Sequence, residues 1–395
     1  MCDTERLSNN ASTAPVPDGR AAVSSHAEDL MATPVPTLAG TEYTSHEVFE
    51  RERRHLFHGG WFLALRADTL ARGNRRVIDV AGESILVARD LDGTLHAHAN
   101  VCRHRGARLC EHDSDSTQGS LMCPYHAWTY ALDGRLIATP HLDAEEVDKE
   151  ALSLWSIAVA EWHGFVFVSL AADPVPFDEW MQRHGQELLA LERYDLGNLR
   201  VAVTTRAEVR ANWKVIVENY QECLHCPRVH PELVEVVPTY RGGIVQDPAR
   251  PDGGVTLRGG GNSFSRTGWS SLPLLPGIGD EDASSYYGCT MFPNAFVDVT
   301  GTSVVVTTMY PQGPDHTTVV AEYLFAPDTI AADGFDPSEV VDFSELVAAQ
   351  DFGVCERVQR GVSSTRFTHG VLTPKDDWVI SFVDHYRATM ARDRP

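Results

Sequence analysis

Two cysteines and two histidines in the first third of the chain constrain its fold more than any other feature. They read Cys102-Arg103-His104, then Cys123-Pro124-Tyr125-His126. Each half pairs one thiolate with one imidazole. A structural zinc ion takes four such ligands in a tetrahedron. A Rieske-type [2Fe–2S] cluster holds one iron through two cysteines and the other through two histidines. Zinc fingers group cysteine with cysteine and histidine with histidine, whereas here each short loop supplies one of each. The spacing therefore favours the cluster, whose neutral imidazoles make it easier to reduce than an all-thiolate one. Trp128-Thr129-Tyr130 and the hairpin signal Asp133-Gly134 place the second loop on a β scaffold.

A second constellation lies near residue 220, where the chain reads NWKVIVENYQECLHCPRVHPEL. Glu222 precedes His225 by three residues, so on a helix the two share a face. His230 would not join them, because five steps of about 100° carry it around the cylinder. Pro227 and Pro231 predict a break, leaving His225 on a helix and His230 just beyond its end. Such a pair lacks only a carboxylate to make the 2-His-1-carboxylate facial triad of non-haem Fe(II) sites. One candidate stands far down the chain. The segment DFSELVAAQDFGVCERVQRGV reads as an amphipathic helix whose apolar stripe is Phe343, Leu346, Val347, Val354, Cys355 and Val358. Asp351 lies within that stripe, where a carboxylate is costly unless paired or bound to metal. The residues alone leave a buried Asp–Arg pair and a metal ligand both open. Glu222 likewise reads either as a solvent-facing helix residue or as a partner of His225.

The stretches NVCRHRGARLC and LMCPYHAWTYALDGRL resemble the Rieske domain of the ring-hydroxylating oxygenase α-subunit family, and QDFGVCERVQRG resembles its C-terminal helix. The resemblance implies a [2Fe–2S] cluster on Cys102, His104, Cys123 and His126. It implies a mononuclear Fe(II) on His225 and His230, with Asp351 as third ligand. Glu222 then matches the acidic residue that bridges the two centres, meeting an iron-ligand histidine on one side and a Rieske histidine of the neighbouring subunit on the other. Most members carry aspartate there, and glutamate is a longer arm. The 18 residues between His104 and Cys123 slightly exceed the family spacing, and polar, turn-rich 111–119 reads as a loop insertion. The resemblance further implies O2 as co-substrate and a head-to-tail homotrimer. Electrons from NAD(P)H would arrive singly through a separate flavin/iron–sulfur reductase or ferredoxin, with Glu222 as relay. A β-subunit is neither implied nor excluded.

At 395 residues the length predicts about two domains. Residues 1–40, rich in Ala, Pro, Ser and Thr up to about residue 37, read as a disordered tail. Residues 41–170 read as an N-terminal helix over 45–57 under a serine cap, then an all-β domain. Its strands are expected at 75–80, 84–89 and 95–100, with a hairpin at Asp92-Gly93 and a closing buried strand over 164–170. Residues 171–395 read as a helix over 177–191, strands at 201–208, 296–299, 303–310 and 317–325, and helices over 213–225 and 343–361. The fold class is α+β. By resemblance, the all-β part is the Rieske domain and the second part the helix-grip catalytic domain. No internal repeat is present.

A formal charge of −22 argues against nucleic acid or an anionic membrane as partner. No run of 18 apolar residues exists to span a bilayer, and the N-terminus lacks the order of a signal peptide. Eight cysteines do not read as a disulfide framework, and reduced metal-binding thiols point to the cytoplasm. Cys223-Leu224-His225-Cys226 has redox spacing but no thioredoxin-like context. Cys110 and Cys355 read as packed small residues.

ENYQECLHCPRVHP and CERVQRG look most like the family branch that oxidises small quaternary or N-methylated amines, such as choline, glycine betaine and proline betaine. In that branch hydroxylation of an N-methyl group releases formaldehyde. An aromatic cage would hold the cation, and Trp269, Tyr286, Tyr287 and Phe292 are candidates, although each also reads as core or loop packing. Gly259-Gly260-Gly261, with Pro273, Pro276 and Gly277, predicts a mobile lid; no Lys-Ser/Thr follows, so it is no phosphate loop. The alternatives are an aromatic-ring hydroxylase, an O-demethylase or a secondary-metabolite tailoring oxygenase of the same superfamily. More remote is a non-enzymatic electron carrier or zinc-binding protein, against which the second ligand set counts.

Overall fold

The computed structural model describes residues 35–391 except 115–118, 141, 144, 248–249 and 251–252. Most of the expected tail, and the middle of the expected Rieske-loop insertion, lie outside the described residues. Helix α1 (His46–Glu52) opens where expected, with Ser45 Oγ accepting from Val48 N at 3.4 Å. The chain then widens into a π turn, Arg53–Phe57, that buries Leu56 and Phe57.

The β part comprises β1 (Phe62–Arg66), β2 (Arg75–Val80), β3 (Glu83–Arg89), β4 (Leu95–Ala99), β5 (Ser120–Met122), β6 (Thr129–Ala131), β7 (Leu136–Ala138), β8 (Ser156–Trp162) and β9 (Phe165–Ser169). Six of these form an antiparallel sheet in the order β1-β9-β8-β4-β3-β2, and β5-β6-β7 form a smaller one beside it. β9 is buried on both faces, as its apolar run predicts. β8 escaped the sequence reading because SIAVAEW is rich in alanine, a poor strand former; pairing with β4 and β9 overrides that preference.

Downstream come α2 (Phe177–His184), α3 (Gln186–Ala190), β10 (Arg200–Val209), α4 (Trp213–Tyr220), α5 (Cys226–Val229), β11 (Val255–Thr256), β12 (Ser285–Met291), β13 (Ala295–Val299), β14 (Val304–Gly313), β15 (His316–Phe325), α6 (Ser338–Val362) and α7 (Asp377–Ala391). The second sheet runs β10-β15-β14-β13-β12-β11. The helix expected over 177–191 is divided at Gly185. The stretch read as irregular before residue 296 holds β12, disguised by Gly288 at its centre. Val358, assigned to the apolar stripe of α6, is 41% exposed, and Gln359 and Val362 are buried instead.

Trp213 fixes how the two parts meet. Its ring is fully buried and packs edge-on against Phe57 at 5.3 Å and Phe382 of α7 at 5.9 Å. One core therefore contains residues of β1, α4 and α7. Behind it, fully buried Lys214 pairs with fully buried Glu52. Glu52 also accepts from Trp213 Nε1 at 3.0 Å and from Tyr386 OH at 2.7 Å. A buried pair persists only when its remaining lone pairs are satisfied, and here they are.

Candidate active site

The two Cys/His loops share one construction. Cys102 N donates to Ala107 O and Gly106 N to Cys102 O; in the second loop Cys123 N donates to Trp128 O and Ala127 N to Cys123 O. The fifth residue of each loop takes a left-handed φ, 73° at Gly106 and 55° at Ala127. This turn points the thiols inward and the imidazoles outward. Cys102 and Cys123 are buried, whereas His104 is exposed and His126 half-buried, with their rings 4.7 Å apart. Tyr130 OH lies 3.3 Å from Cys102 Sγ and accepts from Arg103 N at 3.1 Å. Burial pushes the Cys102 thiol up, and the Tyr130 hydroxyl draws it back. Buried thiols beneath surface imidazoles suit a two-iron cluster.

The second constellation is organised by turns. Helix α4 ends at Tyr220, so Glu222 and His225 do not share a helix face as the sequence reading expected. His225 caps the start of α5, which carries Pro227 in its first turn, and His230 caps its end with φ −121° and ψ 66°. The i, i+3 contact forms nonetheless: Glu222 Oε1 lies 2.5 Å from His225 Nδ1. His230 is 1% exposed, with Nδ1 2.7 Å from Gln350 Oε1. Both Nδ1 atoms thus donate, which fixes the tautomers and turns both Nε2 atoms toward α6. There Asp351 Oδ1 lies 2.8 Å from His230 Nε2 and 3.2 Å from His225 Nε2.

Two imidazole lone pairs and a carboxylate oxygen this close are stable only around positive charge, a metal ion or a proton. Burial lowers the His225 pKa, but hydrogen bonds to Asp351 and Glu222 outweigh it and push the group up to about 9. Burial raises that of Asp351, and the two histidines bring it below the usual carboxylate value. The donor set therefore fits a divalent ion that displaces the proton.

Cys226 Sγ is 3.8 Å from His225 Nε2, but it is joined to Cys223 in a disulfide. The redox spacing of this pair, set aside in the sequence for want of a thioredoxin-like context, does carry a bond. The turn between α4 and α5 brings their Cα atoms to 4.9 Å, within disulfide reach. Cys110 and Cys355 are buried and free, and Arg75 Nε lies 3.1 Å from Cys110 Sγ.

Beside His225, His230 and Asp351 lies a cavity of about 220 Å³ between the second sheet, α4 and α6. That is below the roughly 300–1,000 Å³ of pockets for drug-sized ligands, so it suits a small substrate. Of the four aromatics expected here, Tyr286 lines the cavity. Tyr287, one residue on along β12, points the opposite way into the core, as strand alternation requires. Phe292 packs against Trp213 and His385, and Trp269 is 51% exposed on a loop. None of these three lines the cavity. The glycine run makes a tight turn, with a Cβ at Gly261 falling 2.2 Å from Gly268 O; it too stays off the cavity, whereas Phe264 of the same loop lines it. The sequence reading missed Tyr220, Asp298 and Gln350. Asp298 is the one acid within the apolar strand AFVDV, a signal that was there to be read.

Residues 60–160 match the model of the Rieske [2Fe-2S] domain, and residues 196–392 match that of the ring hydroxylating alpha subunit catalytic domain. A glycine betaine monooxygenase oxygenase subunit of Chromohalobacter salexigens is 31% identical, covering 88% of this chain and 84% of its own. The chain belongs to the ring-hydroxylating oxygenase α-subunit family. A carnitine monooxygenase oxygenase subunit of Acinetobacter pittii is 32% identical over 85% of this chain and 88% of that protein. The crystal structure of a quaternary ammonium Rieske monooxygenase shares the fold, with TM-score 0.75 at 24% identity over 92% of this chain and 98% of that one. As a member of this family the chain is an O2-using oxidoreductase with a Rieske [2Fe–2S] cluster and a mononuclear iron, supplied by a reductase and acting on a small molecule. No described helix is long and apolar enough to cross a membrane.

Proposed function

We propose that this oxygenase N-demethylates a small quaternary or N-methylated amine. The observation that carries the reading is the aromatic-walled cavity opening onto His225, His230 and Asp351, with relatives named for glycine betaine and carnitine. His225, His230 and Asp351 would hold the iron, and Cys102, His104, Cys123 and His126 the cluster. When bound, the two groups supply O2 activation and stored electrons. Glu222 holds the Nδ1 proton of His225 and is the proposed bridge to a Rieske histidine of a neighbouring subunit. Gln350 holds the corresponding proton of His230. The aromatic walls exclude water and face the cation.

In the overall reaction one oxygen atom enters an N-methyl C–H bond. The other leaves as water, with two electrons and two protons. The C–N bond of the hydroxymethyl product then breaks, giving formaldehyde and the amine with one methyl fewer. The proposal extends to a division near residue 170 between Rieske and catalytic domains, to a head-to-tail homotrimer, and to a cytoplasmic setting where NAD(P)H is available. The test is formaldehyde release coupled to substrate-dependent O2 uptake, using a surrogate reductase. His225→Ala should retain the cluster absorbance and lose turnover. Retained turnover, or cis-diol products from aromatic probes in place of formaldehyde, would refute the reading.

A further inference from the structure

The cavity holds more negative charge than the proposed iron site accounts for. Besides Glu222 and Asp351, it is lined by Glu187, Asp298 and Glu345, and by no lysine or arginine among the described residues. A divalent ion offsets two of these five carboxylates; burial raises Glu187 toward its neutral form, which leaves Asp298 and Glu345 to face a substrate. Such a site concentrates cations and repels anions.

Asp298 is the best placed of the three. It lies on β13 directly opposite Gly288 of β12. Tyr220 and Tyr286 each donate a hydroxyl to Oδ1 at 2.6 Å, and no described residue donates to Oδ2. Burial pushes the carboxyl up to about 6, and the two phenols pull it back toward the ionised form. The donating rings are held as walls. Tyr220 stacks on Phe296 with centroids 3.9 Å apart, and Tyr286 stacks on Phe264 at 5.5 Å. Gly288 lets both hydroxyls close on this carboxylate, since a Cβ there would fall 2.7 Å from Tyr220 OH and 3.2 Å from Tyr286 OH. Asp298 lines the cavity together with these aromatic side chains, and a carboxylate in such a setting is a counter-ion for an ammonium that cannot donate hydrogen bonds.

We propose that the substrate is a cationic amine bearing no carboxylate, held by Asp298 between the Tyr220 and Tyr286 walls. This rests on the demethylation reading above and narrows it. In glycine betaine one methylene separates nitrogen from carboxylate. Placing an N-methyl at the iron therefore brings that anion into the cavity, beside acids and with no basic side chain to pair it. A hydroxyl instead finds an acceptor in Glu345, whose Oε1 takes Thr205 Oγ1 at 2.7 Å and Tyr323 OH at 2.8 Å.

The test compares choline and tetramethylammonium with glycine betaine and carnitine, using the holoenzyme, a surrogate reductase, formaldehyde release and O2 uptake. The expected kcat/KM for choline exceeds those of both carboxylated amines by about 100-fold or more, the scale of a like-charge clash. Asp298→Asn should raise KM for choline about 10–100-fold, with the loss falling on KM rather than kcat, and should shrink the preference over glycine betaine. Formaldehyde released more efficiently from glycine betaine or carnitine overturns the substrate inference and leaves demethylation standing. No formaldehyde from any of the four, with hydroxylated products from aromatic probes, removes both. Should Asp298→Asn fail to fold, tetramethylammonium binding to the wild-type holoenzyme is read by tyrosine fluorescence. Displacement by choline alone supports the inference, and equal displacement by glycine betaine overturns it.

Discussion

Gln350 Oε1 and His230 Nδ1 are 2.7 Å apart, so the residue beside Asp351 on α6 orients the imidazole whose other nitrogen Asp351 meets. Two successive positions of one helix thereby grip His230 at both ends. Losing such a contact to a metal-binding histidine lowers affinity about 10–100-fold. Gln350→Ala should show that loss in an Fe(II) titration against a chelator, with the Rieske absorbance intact. Unchanged affinity would mean that the ring is positioned by its packing alone.

The pH dependence of the iron-free protein follows from His225. Its folded pKa, about 9, lies above the ordinary 6.5. The stability this contributes is fully present below about pH 6.5 and disappears as pH rises through 9. Asp351 acts on the acid side, where its depressed pKa gives stability above the ordinary carboxylate value that is lost on acidification. The melting temperature of iron-free protein should therefore fall between pH 6.5 and 9, by an amount equivalent to at most on the order of 3 kcal/mol. With iron bound the slope should flatten, because the metal replaces the proton. Parallel melting curves with and without iron would count against this.

Tyr130 OH accepts from Arg103 N, which leaves its proton free for Cys102 Sγ. A donor to a cluster thiolate favours the reduced, more negative state. Tyr130→Phe should lower the cluster potential by about 40 mV, the one-electron equivalent of a hydrogen bond worth ~1 kcal/mol. A redox titration followed by EPR reads this directly; a potential that stays put or rises contradicts it.

Glu52→Ala would strand Lys214 in the core. Removing one partner of a buried pair costs about 3–5 kcal/mol, and Trp213 and Tyr386 would lose their acceptor as well. Urea denaturation should show a drop of that scale in the unfolding free energy. A loss below 1 kcal/mol would indicate that water enters behind α4 to solvate the ammonium.

The family was legible because ligand chemistry leaves so little freedom: one thiol and one imidazole per loop, and two histidines around a proline. The contact of Glu222 with His225 was legible from spacing alone, but the helix supposed to carry it was not. An i, i+3 approach forms equally well across the turn that follows Tyr220. The pocket was the least readable part. Tyr286 and Tyr287 are chemically alike and differ only in strand parity, which could not be assigned while Gly288 hid the strand. Asp298 passed unnoticed because one acid in an apolar strand also describes a surface alternation. Trp269 drew attention by its chemistry, but it is exposed on a loop and stands outside the cavity.

Gly288 also sets a boundary on how this enzyme can diverge. Tyr220 cannot retreat from a new side chain there without abandoning both Phe296 and Asp298. Selection for bulkier amines, in nature or in the laboratory, would have to carve room elsewhere, for instance at Val305 of β14 or Val319 of β15. That strand centre should stay the one fixed point of a remodelled lineage.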